Sequence, residues 1–287
     1  MMKKSFLFLM AFSAIAVFFS CSSDDDDNSG NQYDAHRGIV KANQEVDLGI
    51  VVQSNGKAYK VIFAKNNLTA TGLATSEYLF GDFFAWGATE PWYTSLSVSG
   101  NSVKADGWKS GKSSGYVEAN APYCIIDTIE QHYGYADTLY TYSKYTNHGD
   151  ILEMSDDAAR KILGGDWRIP TRELWEALID NTTQELIEKG VRGVKFVSVT
   201  NDQTLFLPST DEFIDKTHRI YYEPLFAYRS STAAVVKNYN YEGKEIDYYK
   251  VYVLKESDYY DDKVSVSTSF GREKGLPIRP VRLVEIK

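Results

Sequence analysis

Residues 164–179 constrain the possible fold more than any other part of the chain. Two adjacent glycines permit a tight turn, and Pro170 disfavours helical backbone at the residue before it. Thr171 can then cap a helix with its hydroxyl group, while Glu173 occupies the first turn, where the helix dipole favours negative charge. The apolar residues that follow share one face at helical spacing, namely Leu174, Trp175, Leu178 and Ile179. We therefore predict a switch from extended chain to a half-buried helix at 171–179.

The remaining apolar pattern predicts mostly β structure. Short alternations within 46–65 are interrupted by Ser54, Asn55 and Gly56, which predicts a hairpin. Further strands are expected at 194–200, 205–207, 249–254, 264–270 and 278–284. Together with the helix, these segments predict an α+β domain with mixed, mainly antiparallel strands, about two short helices and long loops.

Three other segments carry less regular patterns. Residues 78–86 predict a strand, and residues 183–189 predict the second short helix, stopped by Gly190. Residues 95–121 are rich in Gly, Ser, Asn and Lys, which predicts a long surface loop. Neither an internal repeat nor a proline-rich linker divides residues 33–287, so we expect one domain there.

The first residues indicate export. Lys3 and Lys4 precede an apolar run of 14 residues at 6–19, and Cys21 follows Ser20 directly. The run is too short for a membrane-spanning helix, which needs about 20 apolar residues. A small residue before cysteine resembles a bacterial lipoprotein signal, in which residues 1–20 are removed and Cys21 is lipidated. An ordinary signal peptide and an uncleaved anchor are the alternatives.

Residues 21–32 predict an acidic, flexible tether, since they contain the run Asp24 to Asp27 followed by Asn28, Ser29 and Gly30. This pattern resembles the export signal behind the lipidated cysteine of surface lipoproteins in Bacteroidota-type bacteria. The resemblance implies an outer-membrane protein that is held by its lipid and faces the cell exterior.

Charge and cysteine content exclude several classes of function. The net charge is −8, and lysines and arginines form no cluster outside the N-terminus, so we expect no binding to nucleic acid. The two cysteines are Cys21 and Cys124, so lipidation of Cys21 leaves no disulfide pair and no cysteine-based zinc site. The adjacent carboxylates Asp156 and Asp157 are expected to be solvated charges in a loop or at a helix start.

Seven short motifs follow one another in a characteristic order and spacing. They are VDLG at 46–49, GDFFAWGATEP at 81–91, DDAA at 156–159, GGDWRIPT at 164–171, LFLP at 205–208, YRSST at 228–232 and IRPVR at 278–282. The set resembles the major-paralogous-domain (FISUMP-type) proteins, a branch of the C-type-lectin-like fold related to sulfatase-modifying factors. The resemblance covers residues from about 46 to 283 and implies that fold.

The shared residues are interpreted as scaffold. Trp86 and Trp167 supply large apolar bodies, and Pro170 with Thr171 turns strand into helix. Arg168, Arg279 and Arg282 stand among apolar strand residues, where a guanidinium group can tie loop carbonyls or carboxylates together. We favour this structural role over a ligand-binding one.

The resemblance also implies what chemistry to look for. The enzymatic sulfatase-modifying branch depends on a cysteine pair in its C-terminal half, and this chain has no cysteine there. Calcium-dependent lectins often carry Glu-Pro-Asn or Gln-Pro-Asp with Trp-Asn-Asp, whereas here Glu90-Pro91 is followed by Trp92. We therefore expect no catalysis and no recognisable cofactor or metal motif, although calcium stays possible.

Tyrosine is the residue type that stands out, with 21 in the chain. Its flat apolar ring and hydroxyl group suit recognition of sugars and protein surfaces, while strand packing is the alternative. Five residues in polar loops are the candidate ligand-binding residues: Tyr239, Asn240, Tyr241, Tyr259 and Tyr260. Thr128 and Thr138 lie in Asp-Thr-aliphatic triplets that resemble a bacterial O-glycan acceptor.

These observations predict a non-catalytic cell-surface lipoprotein whose lectin-like domain recognises a glycan or a protein. A structural or accessory subunit of a surface assembly, such as a fimbria or a glycan-uptake complex, is the second hypothesis. An enzyme resembling the sulfatase-modifying factors ranks last.

Overall fold

The computed structural model describes residues 40–99, 102–113, 115–132, 135–209, 226–239, 243, 245–257 and 264–287. The predicted signal peptide, Cys21 and the tether lie outside the described residues. The described part is mainly antiparallel β structure with two α-helices, which confirms the α+β class. Those helices span six and nine residues, and neither has the length and hydropathy that a bilayer crossing needs.

The elements follow one another in short pieces. The helices are α1 (Ala158–Leu163) and α2 (Arg172–Asp180). The strands are β1 (Glu45–Ser54), β2 (Lys57–Ala64), β3 (Leu68–Thr69), β4 (Gly72–Leu73), β5 (Ser95–Ser99), β6 (Ser102–Asp106), β7 (Cys124–His132), β8 (Tyr135–Tyr142), β9 (Thr182–Ile187), β10 (Gly193–Ser198), β11 (Thr204–Pro208), β12 (Ala227–Tyr239), β13 (Glu245–Glu256), β14 (Val264–Gly271) and β15 (Val281–Glu285).

The first sheet has the order β1-β2-β15 and contains the predicted hairpin. Asn55 and Gly56 connect β1 to β2 with positive φ angles of 49° and 74°, the backbone that a tight two-residue hairpin turn requires. The C-terminal strand then pairs antiparallel with β2, from Val281 opposite Phe63 to Glu285 opposite Tyr59. The predicted strands at 46–65 and 278–284 are thus confirmed, although the last one begins three residues later.

The helix predicted at 171–179 is confirmed as α2. Thr171 caps it, since its hydroxyl oxygen accepts the backbone N–H of Leu174 at 3.4 Å. Trp175 is fully buried and its indole donates to the carbonyl of Arg229 at 3.1 Å. The other fully covered positions of α2 are Leu174, Ala177 and Leu178, so the predicted apolar face is the one that packs.

The second helix lies elsewhere than predicted. Residues 183–189 were expected to be helical, but Thr182–Ile187 form β9, which pairs with β10 from Thr182 opposite Ser198 to Ile187 opposite Gly193. Pairing with a formed neighbour outweighs the weak local propensity of this segment. The actual second helix is α1, which Asp157 caps by accepting the N–H of Arg160 at 3.0 Å.

Two further expectations need correction. Residues 78–86 form no strand, because Phe83, Phe84, Ala85 and Trp86 are all buried in succession and only Phe84 makes an isolated bridge, to Leu276. Residues 95–121 are not simply a loop, since Ser95–Ser99 and Ser102–Asp106 pair as a hairpin and Glu118–Asn120 form a turn of 3-10 helix. Both strands contain serine, which made this segment resemble a loop in the sequence, so the hairpin was not predicted.

The remaining sheets have the orders β11-β10-β9 and β12-β13-β14, and β7 pairs with β8 as a hairpin. The predicted strands at 194–200, 205–207, 249–254 and 264–270 are confirmed within them. One buried cluster packs β1 and β2 against α2, β10 and β11. A second packs α1 and the segment around Trp167 against β12 and β13, and the candidate site opens beside it.

Candidate functional site

An open cleft of about 810 Å³ is lined by six parts of the chain. These are the turn after β1, Tyr59 of β2, the segment 144–157, the segment 160–171, Ser231 of β12 and the end of β15. Its volume lies within the range of about 300–1,000 Å³ that is usual for small-molecule sites. The GGDWRIPT motif, which was interpreted as scaffold, therefore also contributes to this cleft.

The interior of the cleft is apolar. Leu152, Trp167 and Ile169 line it and are at most 7% exposed. Arg282 packs against the Trp167 ring, with its guanidinium carbon 5.8 Å from the ring centroid. Two nitrogens of the same guanidinium group donate hydrogen bonds to the Glu45 carboxylate at 2.8 and 3.1 Å. Tyr59 of β2 also lines the cleft and is half-buried, so part of its ring stays accessible to a ligand.

A buried carboxylate, Asp156, holds one lining segment in place. It accepts hydrogen bonds from the Tyr123 hydroxyl at 2.7 Å, from the Tyr145 hydroxyl and from the Lys144 ammonium group at 2.7 Å. Burial opposes its ionisation, but these donors outweigh that effect and lower the pKa of Asp156. We call Asp156, Tyr123, Lys144 and Tyr145 the Asp156 cluster.

The Asp156 cluster also contains unusual backbone. Tyr123 and Tyr145 have φ angles of 63° and 59°, which cost a bulky residue roughly 1–2 kcal/mol each. Their rings meet edge to face at 5.9 Å, and the Lys144 ammonium lies 5.3 and 4.9 Å from the two centroids. The hydrogen bonds to Asp156 hold both tyrosines in this conformation.

Asp157, the next residue, joins two elements of the cleft. Its oxygens accept the N–H of Arg160 at 3.0 Å and that of Ile169 at 2.8 Å, so it ties the start of α1 to the GGDWRIPT segment. Burial raises the pKa of Asp157 to about 6. The expectation that Asp156 and Asp157 are solvated was wrong, since they are only 7% and 4% exposed. The helix-start role of Asp157 was right.

Charged groups at the mouth of the cleft differ in their exposure. The carboxylate side chains of Glu153, Asp166 and Glu285 are 62%, 71% and 40% exposed, and we call them the acidic rim. Lys144 and Arg160 are 29% and 19% exposed and face carboxylates at 2.7 and 3.8 Å. At Glu153 and Asp166 the solvent-facing charge is therefore negative, while Glu285 is paired with the exposed Lys57 at 3.1 Å.

The remaining motif residues lie in the scaffold around the cleft. Pro170 is buried and its carbonyl accepts the N–H of Ser231 at 2.8 Å, while Arg168 pairs with Val281 through reciprocal backbone bonds of 2.8 and 2.9 Å and lines the cleft. Trp86 is buried and donates to the Ser230 carbonyl at 3.1 Å.

Arg279 is buried and joins separate segments of the chain through hydrogen bonds. It donates to the Asn67 side chain at 2.8 Å, to the Phe206 carbonyl at 3.0 Å and to the carbonyls of Ala64 and Lys65. Burial lowers the pKa of Arg279 to about 10. Its guanidinium group thus joins loop carbonyls, which is the arrangement that the structural interpretation described.

Among the candidate ligand-binding residues the structure describes only Tyr239, which lies away from the cleft. Asn240, Tyr241, Tyr259 and Tyr260 lie outside the described residues, and Tyr239 is 67% exposed at the far end of β12. Ser231 lines the cleft eight residues earlier on the same strand, a distance of about 26 Å at roughly 3.3 Å per residue. Thr128 and Thr138 lie on the paired backbones of β7 and β8.

Sequence reasoning missed Tyr59, Lys144 and Glu153 as cleft residues, and it also missed Arg272. The Arg272 guanidinium is buried between aromatic rings, 4.5 Å from the centroid of Tyr142 and 4.7 Å from that of Trp86, and donates to the Tyr145 carbonyl at 2.7 Å. No local pattern marks these residues, because they come from distant parts of the chain. Asp166 could have been found, since it stands inside the GGDWRIPT motif.

No three His, Cys, Asp or Glu side chains lie close enough together to hold a metal ion within the described ranges. Comparisons of the chain with protein-family models, with curated proteins and with solved structures found no match.

Proposed function

We propose that the cleft binds a saccharide and does not transform it. The observation that carries this proposal is the combination of an apolar interior, a partly accessible Tyr59 and exposed polar groups at the opening. A sugar ring has one apolar face and an edge of hydroxyl groups, so it can pack on aromatic and aliphatic surface while its hydroxyls meet carboxylates and guanidinium groups.

The engagement of the buried carboxylates supports recognition without catalysis. Glycoside hydrolysis uses a pair of carboxyl groups that flank the scissile bond and are free to transfer a proton. The carboxylate of Asp157 accepts two backbone N–H groups, and that of Asp156 accepts two tyrosine hydroxyls and an ammonium group. Both are thus committed to holding the cleft together.

Substitution of Tyr59 tests the proposal. A glycan array probed with the full chain, with calcium and with chelator, identifies a saccharide whose affinity is then titrated. Tyr59→Ala is expected to weaken binding about 5- to 10-fold, because an aromatic contact is worth roughly 1 kcal/mol. Tyr248→Ala, at an exposed tyrosine on β13, is the matched control.

An unchanged affinity of Tyr59→Ala would contradict the cleft as the binding site. Loss of binding in a variant with alanine at Tyr239, Tyr241, Tyr259 and Tyr260 would instead place the site in the tyrosine-rich loops. Complete loss of binding in chelator would reveal a metal requirement.

The fold and location belong to the same proposal. A C-type-lectin-like fold of the major-paralogous-domain type is supported by the seven ordered motifs between residues 46 and 283. Lipidation of Cys21 and display on the outer membrane are supported by the N-terminal pattern. Cleavage of the protein by protease added to intact cells tests this location, and full protection would refute surface display.

A second candidate function is a subunit of a surface assembly. Ile125 and Ile126 follow each other on β7, so they point to opposite faces, and at 45% and 57% exposed they leave an apolar side chain on each face for a partner subunit to cover. A stoichiometric partner should then co-purify from native membranes with the unchanged chain and be lost with a variant carrying serine at both positions. Retention of the partner by that variant would contradict this role for β7.

A further inference from the structure

The residues that line the cleft carry an excess of negative charge, which bears on the kind of saccharide that the cleft accepts. Five acidic residues line the cleft, namely Asp150, Glu153, Asp157, Asp166 and Glu285, against three basic ones, Lys144, Arg160 and Arg168. Since the chain as a whole carries a net charge of −8, the field beyond the cleft does not reverse this excess.

Exposure strengthens the imbalance. Glu153 and Asp166 are 62% and 71% exposed, whereas the basic partner of each is at most 29% exposed. Lys144 contacts two carboxylates at 2.7 Å, so its charge is already compensated inside the Asp156 cluster. At Glu153 and Asp166 an approaching ligand therefore meets carboxylate oxygens before it meets ammonium or guanidinium groups, whereas Glu285 is paired with the more exposed Lys57 at 3.1 Å.

The acidic groups also stand beside apolar surface. Asp166 directly precedes Trp167 in the chain, and Glu285 is opposite Tyr59 in the pairing of β15 with β2. A ring packed near either aromatic residue would place its substituents near a carboxylate, where water is partly excluded and charge interactions are stronger than in bulk solvent.

We propose that the cleft prefers a saccharide carrying protonated amino groups, such as an oligomer of glucosamine, and excludes saccharides rich in carboxylates or sulfates. An ammonium group next to Glu153 or Asp166 gains a hydrogen bond between two opposite charges, a neutral acetamide can donate only its N–H without a charge of its own, and a uronic acid is repelled. This inference rests on the proposed saccharide binding and adds the class of ligand.

Three oligomers of equal length test the inference against the full chain at pH 6. They are the β-1,4-linked glucosamine oligomer, its N-acetylated counterpart and an oligogalacturonate. We expect affinity to fall in that order, and the affinity for the glucosamine oligomer to fall further as salt is raised, because screening weakens the charge interactions.

Charge-neutralising variants separate the rim from the rest of the surface. Glu153→Gln and Asp166→Asn should each weaken binding of the glucosamine oligomer about 3- to 10-fold, as expected for loss of one partly exposed charge contact, and weaken binding of the N-acetylated oligomer by a smaller factor. Glu245→Gln is the matched control, since Glu245 is 51% exposed and ion-paired with Lys237 on the distant hairpin.

The outcomes distinguish the two proposals. Equal affinities for the three oligomers, or tighter binding of the oligogalacturonate, would overturn the amine preference while saccharide binding stands. Unchanged affinity in both rim variants would overturn it as well. Failure of all three oligomers and of the glycan array to bind would refute the proposed function and this inference together.

Discussion

Replacing Asp156 with alanine removes the acceptor that organises one lining segment of the cleft. Three donors would lose their partner, namely the hydroxyls of Tyr123 and Tyr145 and the ammonium group of Lys144. Lys144 keeps its contact with Glu153 at 2.7 Å, so the main cost is that of the two tyrosine hydroxyls left without an acceptor, about 1–2 kcal/mol each.

The net loss in the free energy of unfolding is therefore about 2–4 kcal/mol for Asp156→Ala at pH 7. Urea denaturation followed by tryptophan fluorescence measures it. The pH dependence provides a second readout. The pKa of Asp156 is lowered in the folded protein, so its contribution is present above the unfolded pKa and lost as pH falls through the folded pKa. The difference between wild type and variant should shrink below about pH 4.

Asp166→Ala is the matched control, because that carboxylate is 71% exposed and its ion pair is 3.8 Å long, so the expected loss is below about 1 kcal/mol. A loss for Asp156→Ala no larger than that of the control would refute the organising role of the cluster. So would a loss that stays constant down to pH 3.

Two further predictions concern stability. Burial, together with the nearby Glu273 carboxylate, raises the pKa of Glu118 to about 7, so ionisation between the unfolded and folded pKa values destabilises the protein. Glu118→Gln should therefore raise the melting temperature at pH 8 and leave it unchanged at pH 5. A lower melting temperature at pH 8 would contradict this. Gly193→Ala should lower the free energy of unfolding by about 1–3 kcal/mol in urea titrations, because a Cβ atom would lie 2.3 Å from the Leu207 carbonyl oxygen. An unaltered midpoint of the titration would contradict this and show that β10 and β11 move apart freely.

The sequence predicted those elements whose pattern is local. The α2 helix has a cap, an acidic first turn and one apolar face, and all three signals lie within nine residues of each other. The hairpin of β1 and β2 carries its own turn at Asn55 and Gly56. Local consistency of this kind is what makes a segment predictable.

The errors arose where tertiary contacts override local preference. Thr182–Ile187 became a strand because β10 offers it a pairing partner, and Phe83 to Trp86 are buried in succession and so show no alternation. The cleft was not predictable, since Tyr59, Lys144 and Glu285 come together from positions more than 80 residues apart in sequence. The structural role of the scaffold arginines was easier to predict, because a guanidinium group among apolar residues has few ways to satisfy its hydrogen-bond donors.

The pairing of β15 with β2 also has a consequence for the order of folding. Val281 lies opposite Phe63, a separation of 281 − 63 = 218 residues, and closing a loop of that length costs about 5 kcal/mol of chain entropy. The hairpin of β12 and β13 needs no such closure and can form early. The first sheet is completed only once β15 has been synthesised, so one edge of β2 lacks its native partner until the C-terminal part of the chain has emerged from the ribosome.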